Sequence, residues 1–133
     1  MRQFLKSKRG SELTEAAVTL PIVILLLLGI VQFGIVVYGS QMAKEAARHG
    51  ARMGSVAQEN PAGRAATAAF NFAETALPIG DPQVYILAPG GVVGQELRIR
   101  VVYSVPNLVG GFPGLPDGPF VVFGDATARQ EGW

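Results

Sequence analysis

Hydrophobic and polar positions divide this chain into one long apolar run near the N-terminus and a shorter remainder with alternating patterns. No residue from Ala16 to Ala43 is charged. A helix rises about 1.5 Å per residue and a bilayer core needs roughly 20 apolar residues, so this run is long enough to cross a membrane. Pro21 lies inside the run, where a membrane helix tolerates it. We therefore predict a transmembrane helix over residues 11–42.

The pattern beyond the run indicates that the helix continues out of the membrane over residues 43–58 and that a second helix follows. A thin apolar stripe with three-to-four spacing marks the continuation and consists of Met42, Ala46, Gly50, Met53 and Ala57. Asn60 and Pro61 suit the N-cap and the first position of the second helix, which should extend to Leu77. We expect the aromatic rings of Phe70 and Phe72 to be core residues.

The last third of the chain has the period-two pattern of strands. Residues 84–87 form a short apolar run, residues 96–105 alternate, and residues 120–129 form a third candidate strand. Five residues of the middle strand should share one buried face: Leu97, Ile99, Val101, Tyr103 and Val105. A half-buried antiparallel sheet of three strands follows from this alternation. The predicted fold class is therefore α+β, with a small domain over residues 59–133 behind the long helix.

A segment without periodicity, residues 106–119, joins the second and third predicted strands. It contains four prolines and four glycines, and its apolar residues include Phe112 and Leu115. Long loops without secondary structure are often functional. Two interpretations stay open: the segment folds over the sheet as a lid, or it is a contact surface for another subunit.

Charge is distributed unevenly along the chain. The net charge is +1, but Arg2, Lys6, Lys8 and Arg9 all precede Gly10, so the rest of the chain is acidic overall. This distribution gives no support to nucleic-acid binding. By the positive-inside tendency, the basic leader stays in the cytoplasm and the C-terminal domain is exported.

Three basic residues also follow the apolar run. Lys44, Arg48 and Arg52 are four residues apart and therefore share one side of the predicted helix extension. They form either a solvated face near lipid headgroups or a docking face for an acidic partner subunit.

Side chains that support catalysis are sparse. The chain has no cysteine and one histidine, His49, and its ten acidic residues are scattered. No nucleophile with its base and acid, and no metal-ligand cluster, can be assembled from these residues. Gly90, Gly91 and Gly94 resemble a phosphate loop but join two strands and open no helix. We expect a protein that is not an enzyme, with no cofactor, no metal and no small-molecule substrate.

The residues before the apolar run resemble the N-terminus of type IV pilins and pseudopilins. A basic leader ends at Gly10, four residues follow, and Glu15 precedes a long apolar helix. In that family a prepilin peptidase cuts directly after the glycine. The resemblance therefore implies a leader over residues 1–10 and cleavage between Gly10 and Ser11.

The continuation LTEAAVTLPIVILLLLGIVQFG, followed by AKEAARHGAR at residues 43–52, is similar to TadE/TadG-like pseudopilins of tight-adherence (Flp type IVb pilus) systems. Leu20–Pro21, Gly29 and Phe33–Gly34 fit that family. Gln32 stands where the family often has an acid. The resemblance implies a type IV pilin-like fold, a place in the bacterial inner membrane or in a surface pilus, and a role in surface attachment and biofilm formation.

Glu15 is the candidate functional residue of this segment. A carboxylate beside lipid is costly unless it is paired. Cleavage would create a free amine at Ser11, and the resemblance implies that Glu15 pairs with the amine of a neighbouring subunit. The implied partners are the prepilin peptidase, other pilin or pseudopilin subunits and the pilus assembly platform. The other interpretation is a solvated carboxylate at the level of the headgroups.

Two alternatives concern processing of the N-terminal segment. An uncleaved chain would be a single-pass, membrane-anchored scaffold or binding protein with an exported β-rich domain. A secretory signal would instead be cut after the apolar run, for example between Gly39 and Ser40, but the run is about twice as long as the core of such a signal.

Overall fold

The computed structural model describes residues 8–78 and 80–131. Within these residues the chain forms two helices and three strands: α1 (Lys8–Ser55), α2 (Pro61–Ala76), β1 (Asp81–Pro89), β2 (Glu96–Val105) and β3 (Phe120–Arg129). The predicted α+β class, with a long N-terminal helix, a second helix and a three-stranded antiparallel sheet, is confirmed.

Helix α1 is 48 residues long and unbroken, with Pro21 inside it. It joins the apolar run and the alanine-rich continuation into one rod and ends at Ser55, whose hydroxyl donates a hydrogen bond to the carbonyl of Arg52 (2.9 Å). A helix of this length exceeds what a bilayer core requires. Its C-terminal half is therefore available to pack against the domain.

The sheet has the order β1-β2-β3 and is antiparallel throughout. The central strand β2 presents one fully buried face, as its alternation predicts: Leu97, Ile99, Val101, Tyr103 and Val105. Strand β1 is longer than the predicted run at 84–87 and includes Pro82 and Pro89. Both prolines are tolerated because β1 is an edge strand. The second face of the sheet carries the exposed side chains of Val121 and Phe123.

The core lies between the buried face of the sheet and the two helices, and most of its helical residues are small. These residues are Ala43, Ala46, Ala47 and Ala51 of α1 and Ala65, Ala69 and Ala73 of α2. A Cβ atom built at Gly50 would lie 2.6 Å from the carbonyl oxygen of Ala65, so the two helix backbones touch. The predicted apolar stripe is therefore wrong at Met53, which is exposed, because only small side chains fit between backbones this close.

The prediction that Phe70 and Phe72 are core residues is also wrong. Their side chains are 41% and 36% exposed, and α2 turns its alanine face inward instead. The contact between α1 and α2 leaves no space for an aromatic ring. Phe72 instead stacks on the imidazole of His49 on the surface, with ring centroids 5.4 Å apart.

One buried tyrosine ties the sheet to α2. The hydroxyl of Tyr103 donates a hydrogen bond to the carbonyl of Ala73 (2.7 Å), and burial raises the pKa of this hydroxyl to about 12. The bond satisfies both groups, which lie away from water. The cap of α2 is as predicted, because the side chain of Asn60 accepts a hydrogen bond from the backbone amide of Gly63 (3.1 Å).

Candidate functional site

The N-terminal part of α1 projects from the folded domain. The side chains from Glu12 to Val31 are exposed, with only Leu25 and Leu28 half-buried, whereas Gln32 is 5% exposed. The projecting part has about 20 residues, which matches the thickness of a bilayer core. Only 6% of the residues in the most apolar window of α1 are buried, so this part of the helix does not belong to the core of the domain. Together these properties indicate a single-pass membrane protein.

The geometry at Gly39 argues against a cleaved secretory signal. The peptide bond after Gly39 lies in the middle of α1, and Gly39 itself is buried. A Cβ atom at this position would lie 3.1 Å from Cγ2 of Val105 and 3.4 Å from Cγ2 of Val122. Cleavage at Ser40 would remove a part of the helix on which the sheet packs. The membrane segment and the domain are therefore one structural unit.

Gly10, Ser11 and Glu15 lie together at the N-terminal end of the projecting segment. All three belong to the first turns of α1, and the carbonyl of Gly10 accepts a hydrogen bond from the hydroxyl of Thr14 (2.8 Å). The side chain of Glu15 is exposed, and among the side chains that the structure describes it has no ion-pair partner. The step from Ser11 to Glu15 is about 6 Å along the helix axis, close to one helical turn.

The comparison with known families covers this segment. Residues 10–52 match the family model described as TadE-like protein. Over these residues the chain is similar to TadE-like proteins. The match begins at Gly10 and includes most of α1, and it confirms the resemblance found in the sequence. The sheet lies outside the match, and no curated protein and no solved structure matches the chain.

The basic residues of the TadE-like segment remain on the surface. Lys44, Arg48 and Arg52 are all exposed. The backbone of Lys44 lies against β3 at Gly124, so this basic face begins at the edge of the contact between α1 and the sheet. Nη1 of Arg48 lies 2.9 Å from Oε1 of Glu45, an exposed pair that contributes little to stability.

The structure excludes the lid interpretation of residues 106–119, which we call the 106–119 loop. Three of its apolar residues are exposed, Leu108, Phe112 at 48% and Leu115 at 39%, whereas Val109 is half-buried, and the outer face of the sheet stays uncovered. The loop follows the end of β2, which lies beside α1 at Gly39, and its first residues, Pro106 and Leu108, bond to Gln32 of α1. The interpretation as a contact surface remains.

Gln32 is a functional candidate that sequence reasoning did not identify. Its Oε1 accepts a hydrogen bond from the backbone amide of Leu108 (2.6 Å), and its Nε2 donates one to the carbonyl of Pro106 (3.2 Å). The amide side chain thus fixes the start of the 106–119 loop to the TadE-like helix. The signal in the sequence was an amide side chain among apolar neighbours, which calls for a hydrogen-bond partner.

The remaining polar groups give no sign of a metal centre. Within residues 8–78 and 80–131, no group of three or more His, Asp or Glu side chains is close enough to hold a metal ion. On the outer face of the sheet, Arg100 forms two hydrogen bonds to Asp125, of 2.6 and 2.7 Å, and this pairing lowers the pKa of the Asp125 carboxyl. The pair joins β2 to β3 and has a structural role.

Proposed function

We propose that this chain is a minor pilin or pseudopilin, matured by a prepilin peptidase, that acts in the assembly of a tight-adherence pilus for surface attachment. The observation that carries the proposal is the TadE-like match over residues 10–52, which begins at the glycine of the pilin pattern. The structure supports it with a projecting apolar helix whose side chains are exposed on nearly all sides. Such a helix has surface available for the helices of other subunits.

The proposed mechanism starts with removal of residues 1–10. Cleavage between Gly10 and Ser11 leaves Glu12 in the first turn of the mature helix and Glu15 one turn further into the apolar segment. When the subunit enters an assembly, the carboxylate of Glu15 pairs with the new amine of a neighbouring subunit. Because an unpaired carboxylate in lipid is unfavourable, this pairing favours incorporation over free diffusion in the membrane.

The proposed orientation follows from the basic leader. Its four positive charges hold the N-terminus in the cytoplasm, so that the domain is exported across the bacterial inner membrane. In this orientation the exposed face with Lys44, Arg48 and Arg52 is outside the cytoplasm. It is available there to an acidic surface of a partner subunit or of the assembly platform.

Deletion of the gene that encodes this chain in its native cell should reduce both surface attachment and the number of pili. Expression of the wild-type gene from a plasmid should restore both. The measurements are adhesion to a solid surface and pilus counts by electron microscopy. Immunoblots for the major pilin and for its processed form are the control, because they separate an assembly defect from loss of the pilus subunit itself. Unchanged attachment and pilus number would contradict the proposed function.

A further inference from the structure

The 106–119 loop lies at the junction between the projecting membrane segment and the folded domain. Gln32 is the first buried residue after the exposed apolar segment of α1, and it holds the backbone of Leu108 and Pro106. The opposite end of the sheet, where Val92 and Val93 connect β1 to β2, lies near the C-terminal end of α1, because Leu97 of β2 approaches Gly54. The loop is therefore at the membrane end of the domain.

The face of α1 that meets the loop continues toward the lipid. Leu28 and Leu25 are four and seven residues before Gln32, so the three share one side of the helix. Both leucines are half-buried, whereas the residues around them are exposed. The half-buried side of α1 thus continues from Gln32 into the apolar segment, on the side where Gln32 bonds to the loop.

The two polar side chains of the loop, those of Asn107 and Asp117, are bonded within the loop. The side chain of Asn107 donates hydrogen bonds to the carbonyls of Pro116 and Gly118 and accepts one from the amide of Val109. The carboxylate of Asp117, the only charged residue of the loop, accepts a hydrogen bond from the amide of Gly111 (2.7 Å). Such bonding reduces the cost of placing a loop in a medium with few water molecules.

Three apolar side chains of the same loop point outward, and the fourth, Val109, is half-buried. Leu108, Phe112 and Leu115 are exposed, although the loop is held together by the bonds of Asn107 and Asp117. A loop surrounded by water normally shows the opposite arrangement, with polar side chains outside and apolar ones covered. This inverted arrangement, beside a helix of membrane-spanning length, indicates a lipid environment.

We propose that the 106–119 loop lies in the interfacial layer of the bilayer on the side of the domain, with Phe112 and Leu115 in contact with lipid. The loop then sets the depth of α1, because Gln32 fixes it to the helix where the projecting segment ends. Lys44, the first residue of the basic face, lies about 18 Å farther along the helix axis than Gln32. The basic face is thus beyond headgroup contact, which favours a protein partner for it. The inference requires only that α1 spans the membrane, and it is independent of processing at Gly10.

Spin labelling of the full-length chain in vesicles of phosphatidylethanolamine and phosphatidylglycerol tests this placement. Since the chain contains no cysteine, single cysteines can be introduced without further changes. A nitroxide at Phe112→Cys should collide readily with oxygen, which concentrates in lipid, and rarely with a water-soluble nickel complex. The matched control is Val93→Cys, because Val93 is also an exposed apolar loop residue (69%) but lies at the far end of the sheet.

We expect the ratio of oxygen to nickel accessibility to be several-fold higher at position 112 than at position 93. Leu115→Cys should give the same ratio as Phe112→Cys. Agreement between the two positions would show that the result is not a local effect of the label at position 112. Equal ratios at the three positions would overturn the proposal. Exclusion of both reagents at position 112, together with spin coupling that grows with protein concentration, would also overturn it and would assign the loop to contact between copies of the chain.

Discussion

Replacing Glu15 with leucine should leave the chain in the membrane at normal abundance and yet strongly reduce its incorporation into pili or pilus-assembly complexes. The substitution makes the apolar segment more hydrophobic, so membrane insertion is unimpaired. A carboxylate in lipid costs roughly 3 kcal/mol, so the loss of its pairing can shift the incorporation equilibrium by about a hundredfold. The measurement is the fraction of the variant that co-purifies with sheared pili or with crosslinked complexes.

Three further variants separate charge from shape and position. Glu15→Gln retains the shape and hydrogen-bonding capacity but not the charge, so it should resemble the leucine variant. Glu12→Leu makes the same change one turn earlier, where we expect a solvated carboxylate, and should assemble normally. The mass of each variant must show that the leader has been removed, since an uncleaved chain would fail for another reason. Normal incorporation of a correctly cleaved Glu15→Leu protein would contradict the pairing mechanism.

Substitution of Gly124 by alanine should destabilise the domain strongly, although it adds only one methyl group. Gly124 lies where β3 crosses α1, and a Cβ atom at this position would lie 2.5 Å from the carbonyl carbon of Ala43 and from Cα of Lys44. These neighbours are backbone atoms of a long helix, which cannot move aside as a side chain can. We expect a loss of roughly 2–3 kcal/mol in the free energy of unfolding. Such a loss is large for a domain of this size.

Urea titration of the full-length chain in detergent, with proteolysis as the measure of unfolding, gives this free energy. Gly118→Ala is the matched control, because Gly118 lies in the 106–119 loop with no atom within 4 Å of the added methyl group. We expect this control to change the free energy of unfolding by less than about 0.5 kcal/mol. Equal urea midpoints for the two variants would show that β3 does not pack on α1 as described.

The secondary structure was predictable because periodicity reports which side of an element is buried. The alternation from Leu97 to Val105 fixed both the strand and its core face, and the residues at Asn60 and Pro61 marked the start of α2. The same reasoning failed at Phe70, because hydrophobicity does not reveal how closely two helices approach. That distance is set by glycine and alanine at matching positions of α1 and α2.

The candidate site was predictable only where it is local in the sequence. The pattern of Gly10, Ser11 and Glu15 lies within six residues and needs no tertiary structure to be recognised. The hydrogen bonds from Gln32 to the 106–119 loop join residues more than 70 positions apart. No periodicity in the loop indicated where it lies, so only the fold could place it beside the membrane segment.

The mature N-terminus tests most directly the proposal that this chain is a processed pilin-type subunit. Intact-mass measurement, with sequencing of the N-terminal peptide, should be applied to protein extracted from membranes of the native cell that contain the prepilin peptidase. We expect a chain that begins at Ser11 and lacks residues 1–10. Retention of Met1 on all of the extracted protein would contradict it and would identify a permanently anchored scaffold instead.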